Sequence, residues 1–230
     1  MPDTRPTRRL RLWWRFLRFF CVVYFYTCYR FRATGRCHIP RSGPVLFVSN
    51  HQSYLDPIIV GIGSHPRQFF PMARSTLWQN RLVGWLIHTL KAIPVDRGEA
   101  DMAAIRKCIE VLKADRSLLL FPEGTRTLDG RTGGFKTGTM LIIKRAKPVV
   151  IPVSIQGGHD VWPKGRSYPD FFGRIAVHYA EPIDAQILID MGPEAAMEHL
   201  RKIIESNRLR LEAAGPSSNV ESSCDDQLRS

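Results

Sequence analysis

No two of the five cysteines (Cys21, Cys28, Cys37, Cys108 and Cys224) stand at C-x-x-C spacing, and none forms a ligand-like cluster with histidine. That excludes the usual sequence signatures of a zinc site or a redox pair, and no metal is expected. The count is odd and the spacing irregular, so reduced, mostly buried thiols in an intracellular protein are expected. No G-x-S-x-G elbow and no H-E-x-x-H helix occurs, which argues against a serine acyl-enzyme and against a zinc hydrolase. Long apolar runs are missing as well. The uncharged stretch Phe19–Tyr29 has eleven residues, ~16 Å of helix against a hydrocarbon core of ~30 Å. There is no internal repeat.

Residues 1–41 contain no lysine and a single acid, Asp3, against ten arginines. The formal charge of the 230 residues is +12, and this segment carries +9 of it. The excess charge therefore belongs to one end of the chain, and such asymmetry points to a polyanionic partner. Arg8, Arg11, Arg15 and Arg18 recur on one helical face, and Leu10, Trp13, Leu17, Phe20 and Tyr24 on the opposite one. Ten of the 23 aromatic residues lie between Trp13 and Phe31. Aromatic rings with arginines suit the headgroup layer of an anionic bilayer, so Arg8, Arg11, Trp13, Trp14, Arg15, Arg18 and Phe20 are expected to bind a membrane surface. A short spanning helix is the weaker alternative. A secretory signal is disfavoured, because Arg30 and Arg32 follow the apolar run and no A-x-A site appears. A nucleic-acid arm is seldom so rich in Trp, Phe and Leu, and no nucleic-acid partner is expected.

After the turn chemistry of Pro40–Pro44, apolar runs of strand length alternate with helical patterns. The strands expected are Val45–Ser49, Gln68–Met72, Ala92–Val95, Ser117–Phe121, Val149–Ile155 and Arg174–His178. Helices are expected over Leu77–Leu90, around Met102, Ile105, Ile109 and Leu112, over Thr137–Arg145 and over Pro193–Leu211. This alternation predicts an α/β fold with a largely parallel sheet flanked by helices. The predicted organisation is a membrane-anchoring segment at 1–39, one domain at 40–212 and a polar tail at 213–230.

Three polar clusters follow the ends of apolar strands: Asn50–Asp56, Asp96-Arg97 and Pro122–Arg126. In parallel sheets the carboxyl ends line the ligand crevice, so neighbouring strands would bring these groups to one edge. His51 suits a general base, because imidazole exchanges protons near neutral pH, and Asp56 lies within reach to orient it. Asp56-Pro57 also fits a helix cap followed by Pro at the first turn, which leaves a purely local role open. Arg97 and Arg126 suit a phosphate through planar bidentate donors, or else pair with Asp96, Glu123 or Asp129. Lys136 adds charge or lies on the surface. The stretch Gly130–Thr137 is one residue from a phosphate-loop pattern, but Phe135 replaces the needed glycine and no strand leads into it.

These clusters resemble the PlsC-type glycerolipid acyltransferases, the lysophosphatidic acid acyltransferases. Four blocks appear in the family's order: Asn50-His51-x4-Asp56, Ala92–Arg97, Phe121–Arg126 and Val149–Val153. The resemblance implies a mixed sheet with helices, preceded by an N-terminal helical motif. It also implies transfer of an acyl group from acyl-CoA or acyl carrier protein to the sn-2 hydroxyl of 1-acylglycerol-3-phosphate, giving phosphatidic acid. His51 would be the base, Asp56 its orienting partner, and no covalent enzyme intermediate or cofactor would be needed. Arg97, Glu123, Gly124 and Arg126 would hold the acceptor, with Thr125 and Asp96 as lesser members. The expected place is the cytoplasmic face of the inner membrane. The alternatives are another acceptor (glycerol-3-phosphate, a lysophospholipid or a lyso-aminolipid) or a non-catalytic membrane-binding module.

Overall fold

Runs of β-branched and leucine residues with no polar alternation form strands that are covered on both faces. In the computed structural model, which describes residues 19–64, 67–74, 93–95 and 102–214, these runs form the centre of a seven-stranded sheet. The strands are β1 (Arg32–Thr34), β2 (Val45–Ser49), β3 (Phe69–Arg74), β4 (Ile93–Val95), β5 (Ser117–Leu120), β6 (Val149–Gln156) and β7 (Ala176–Tyr179). Their order is β1-β7-β6-β2-β5-β3-β4. Every pairing between these strands is parallel except β6 with β7, so the sheet is mixed but largely parallel. The six expected strands lie within two residues of their sequence positions. The predicted helix at Leu77–Leu90 lies outside the described residues.

The helices are α1 (19–28), α2 (Asp56–Gly63), α3 (Met102–Lys113), α4 (Gly138–Ala146), α5 (Gly158–Val161), α6 (Ala185–Met191) and α7 (Pro193–Ala213). Strand periodicity sorts the core into two layers. Leu46 and Val48 of β2 point with Leu118 and Leu120 of β5 into a cluster shared with α3, α4, α6 and α7. Val45, Phe47 and Leu119 point the other way, toward α2 and α1. The sequence pattern of α3 is an apolar stripe, and the helix buries Ala104, Cys108, Val111 and Leu112 along it.

Packing crosses the boundary expected at residue 39. Phe25, Tyr29 and Phe31 are buried in the same core as Ile59 and Val60, and β1 pairs with β7. Aromatic residues that read as anchor therefore also form one wall of the domain. One expectation about thiols is corrected. Cys37, half-buried on a 3-10 turn over Arg36–His38, is disulfide-bonded, whereas Cys21, Cys28 and Cys108 are free. A half-exposed thiol can be reached by another cysteine, and irregular spacing says nothing about that. No helix among the described residues is long and apolar enough to cross a membrane.

Candidate active site

Strands β6, β2 and β5 are parallel neighbours, so their carboxyl ends open on one edge of the sheet. Asn50–Asp56 leaves β2, Phe121–Arg126 leaves β5, and Gly157-Gly158 leaves β6 at that edge. β4, parallel to β3 and so to β5, ends on the same side, but Asp96 and Arg97 lie outside the described residues. So do Arg8, Arg11, Trp13, Trp14, Arg15 and Arg18. Phe20 is on α1 and is 52% exposed.

The imidazole of His51 is half-buried and lies flat on the Phe121 ring, with centroids 4.1 Å apart and planes 17° apart. Its Nδ1 is 2.7 Å from Oδ2 of Asp56, a residue with no solvent exposure. The same oxygen accepts N–H bonds from Gln52 (2.6 Å) and Ser53 (2.8 Å). An ionised carboxylate has no proton to give, so Nδ1 donates and the lone pair resides on Nε2. No described residue takes Nε2 as a partner. Asp56 is the first residue of α2 and its carboxylate turns back into the preceding loop, not onto the helix N–H groups. The local capping alternative is thereby set aside.

The loop carrying His51 is held from three sides. Asn50 exchanges both amide bonds with the Ile155 backbone, at 2.9 and 2.8 Å. Gln52 accepts from Gly158 N (3.0 Å) and donates to Gly130 O (2.7 Å). Glu123 is buried, and its Oε1 accepts from His51 N (2.8 Å) and its Oε2 from Gly133 N (3.2 Å). Burial raises the Glu123 carboxyl from its ordinary 4.5 to about 7, against the two backbone bonds that pull it down. Gly158 is tightly enclosed: a Cβ there would stand 3.0 Å from Asp56 Oδ1, close enough that the neighbours would have to give by a few tenths of an ångström.

A cationic rim lies beside this corner. The Arg126 guanidinium sits over the Tyr54 ring at 3.5 Å, and its buried Nη1 has no hydrogen-bond partner. Among the described residues Arg126 makes no ion pair, so the Asp129 and Glu123 alternatives are not what the fold uses. Asp129 is taken instead by Thr127 Oγ1 and Arg131 N. Gly124 adopts φ +69°, a conformation that favours glycine, and Lys136 Nζ lies 3.0 Å from where its Cβ would be. Lys164 donates to Thr125 Oγ1 at 3.1 Å. Gly124, Thr125, Lys136 and Lys164 are exposed. Lys164 escaped the sequence reading, and Tyr54, Phe121 and Gln52 stood inside its clusters with no role assigned to them. Lys164 lies in an irregular stretch 39 residues from its partner, where no pattern signals it. Gly130–Thr137 forms the loop before α4 and supplies Gly133 N to Glu123, with no strand leading into it.

This geometry has counterparts. A family model described as Acyltransferase matches residues 30–156. A 1-acyl-sn-glycerol-3-phosphate acyltransferase of Streptococcus pneumoniae is 33% identical over 168 residues, 73% of this chain and 60% of that protein. The chloroplastic 1-acyl-sn-glycerol-3-phosphate acyltransferase LPAT1 of Arabidopsis thaliana is 30% identical over 161 residues, 69% of this chain and 45% of that one. The match spans about half the length of these curated relatives. The crystal structure of the 1-acyl-sn-glycerophosphate acyltransferase PlsC of Thermotoga maritima superposes with a TM-score of 0.72 at 26% identity, covering 92% of this chain and 85% of that one.

Proposed function

The chain belongs to the acyltransferase family, and we propose that it transfers a fatty acyl group from a thioester to the sn-2 hydroxyl of 1-acylglycerol-3-phosphate, giving phosphatidic acid. The observation that carries this reading is the His51–Asp56 contact at 2.7 Å, at the strand edge that also bears the cationic rim. The acceptor oxygen attacks the thioester carbonyl carbon as its proton passes to Nε2 of His51. The carbon–sulfur bond then breaks, and the imidazolium returns the proton to the departing thiolate. The products are an ester and a free thiol, and no bond to the enzyme is formed.

Arg126 is the first choice for the acceptor phosphate, because its guanidinium is held by Tyr54 while Nη1 keeps an unused donor. Lys136 and Lys164 add positive charge at the loop of Gly124 and Thr125. Arg97 and Asp96 are proposed to join them from the end of β4. Glu123 acts at one remove, since both its oxygens hold backbone N–H groups. The donor is acyl-CoA or acyl carrier protein, and no cofactor takes part. The arginine-rich N-terminal segment would hold the enzyme on the cytoplasmic face of the inner membrane, where both lipids reside.

The test is acyl transfer by the purified protein against lysophosphatidic acid, glycerol-3-phosphate and headgroup-bearing lysolipids, with both donors. Preferred turnover of lysophosphatidic acid is expected. Preference for another acceptor would overturn the substrate assignment, and absence of transfer to all of them the reaction itself.

A further inference from the structure

Between α5 and β7 the chain makes an irregular excursion, residues 163–173, whose exposed rings neither the core nor the site uses. Its backbone is tied at many points. Asp170 N bonds Val161 O, Gly173 N bonds Cys28 O, and Trp162 Nε1 donates to Arg166 O at 2.9 Å. Arg166 pairs with Asp170 at 2.6 Å. Two tyrosines of α1 and its end reach across to it, Tyr29 OH to Asp170 O (2.8 Å) and Tyr24 OH to Phe171 O (3.0 Å). Yet this anchored loop turns three large rings to solvent. Tyr168, Phe171 and Phe172 are 70%, 75% and 76% exposed. Three such rings within five residues mark an interaction surface.

Chemistry and position select the partner. Between Pro163 and Arg174 there are three cations, Lys164, Arg166 and Arg174, and one acid, Asp170. Exposed aromatics beside lysine and arginine fit the headgroup layer of an anionic bilayer. The helix bonded to the loop also turns rings outward, with Phe19 and Phe20 62% and 52% exposed. At its other end the loop touches the rim: Trp162 packs edge-on to Tyr54 at 5.2 Å, and Lys164 holds Thr125.

We propose that the loop at 163–173 is a membrane-docking wedge, inserting Tyr168, Phe171 and Phe172 into an anionic lipid surface and seating the cationic rim against it. This rests on the acyltransferase reading only for its purpose, namely that a lysolipid reaches Arg126 from the bilayer without crossing water.

The experiment compares the full chain with its Phe171→Ser/Phe172→Ser variant on phosphatidylcholine vesicles with and without phosphatidylglycerol. Vesicle partition of the variant should fall by about tenfold or more, with thermal unfolding unchanged because neither ring is packed. Transfer to vesicle-embedded lysophosphatidic acid should fall in parallel, while transfer to a short-chain monomeric acceptor stays at the parental rate. Phe172→Trp should retain partition. Unchanged partition of the double variant would overturn the wedge. So would an equal loss of transfer to the monomeric acceptor, or a loss seen only with acyl carrier protein as donor, which would make the loop a protein-docking surface. Should no acceptor be turned over at all, the acyltransferase reading fails and the partition measurement still decides the wedge.

Discussion

The two halves of the site are built on opposite terms. At the histidine corner nearly every polar group is buried and already bonded. Asp56 is fully enclosed, with Oδ2 taking three contacts and Oδ1 none, Asn50 and Gln52 are committed to backbone partners, and Glu123 clamps two loops. At the rim Gly124, Thr125, Lys136 and Lys164 face solvent, and Arg126 keeps an unsatisfied donor. The first half is rigid because proton transfer demands a fixed distance and angle. The second is left open because its bonds are to be completed by a ligand. Preorganisation and unsatisfied donors thus divide the labour of rate and recognition.

If that division is right, substitutions should separate by kinetic constant. His51→Ala should lower kcat by about 10³-fold or more through loss of general-base catalysis, leaving the fold and the acceptor KM near parental values. Substantial residual turnover would remove the base from the scheme. Arg126→Ala should act mainly on KM. Loss of charged hydrogen bonds of about 1.5–3 kcal/mol predicts a rise of roughly 10- to 100-fold for the phosphate-bearing acceptor, with kcat little changed. An unaltered KM would take the phosphate away from this residue. Gly158→Ala sharpens the contrast from the rigid side. Its Cβ would stand 3.0 Å from Asp56 Oδ1 and 3.3 Å from the Cβ atoms of Gln52 and Ser53. Pushing Asp56 aside should reduce kcat by about 3- to 10-fold at constant KM. A change confined to KM would blur the two halves.

Glu123 bears on stability instead of turnover. With its carboxyl raised from 4.5 to about 7, the folded chain keeps a proton that the unfolded chain has released between those values. The native state binds more protons in that window, so this group's contribution to stability falls as pH rises through it and is constant above. Glu123→Gln should flatten that slope in urea unfolding measured from pH 4.5 to 8. A slope identical to the parent's would mean that burial does not perturb the group.

How much of this was legible depends on how local the signal is. Strand runs and the stripe of α3 were readable because periodicity is a property of neighbours along the chain. His51 and Asp56 were readable because five residues cover one turn, and the convergence of their loop with Phe121–Arg126 followed from strands read as parallel. The reversal of β7 left no comparable mark. Nor did β1, three residues that read as the tail of an aromatic anchor and pair with a strand some 140 positions away. Phe121 beneath the imidazole, Tyr54 beneath Arg126 and Lys164 on Thr125 are products of tertiary closure. Taken alone, their residue types are ordinary.

A single oxygen, Oδ2 of Asp56, receives the ring of His51 and the two amides that shape the bend before α2. Architecture and reactivity are therefore soldered at one atom. An inactive variant at position 56 would confound a misplaced bend with a misplaced proton. Probes aimed at the imidazole, which bears no such double duty, isolate the chemistry from the scaffold.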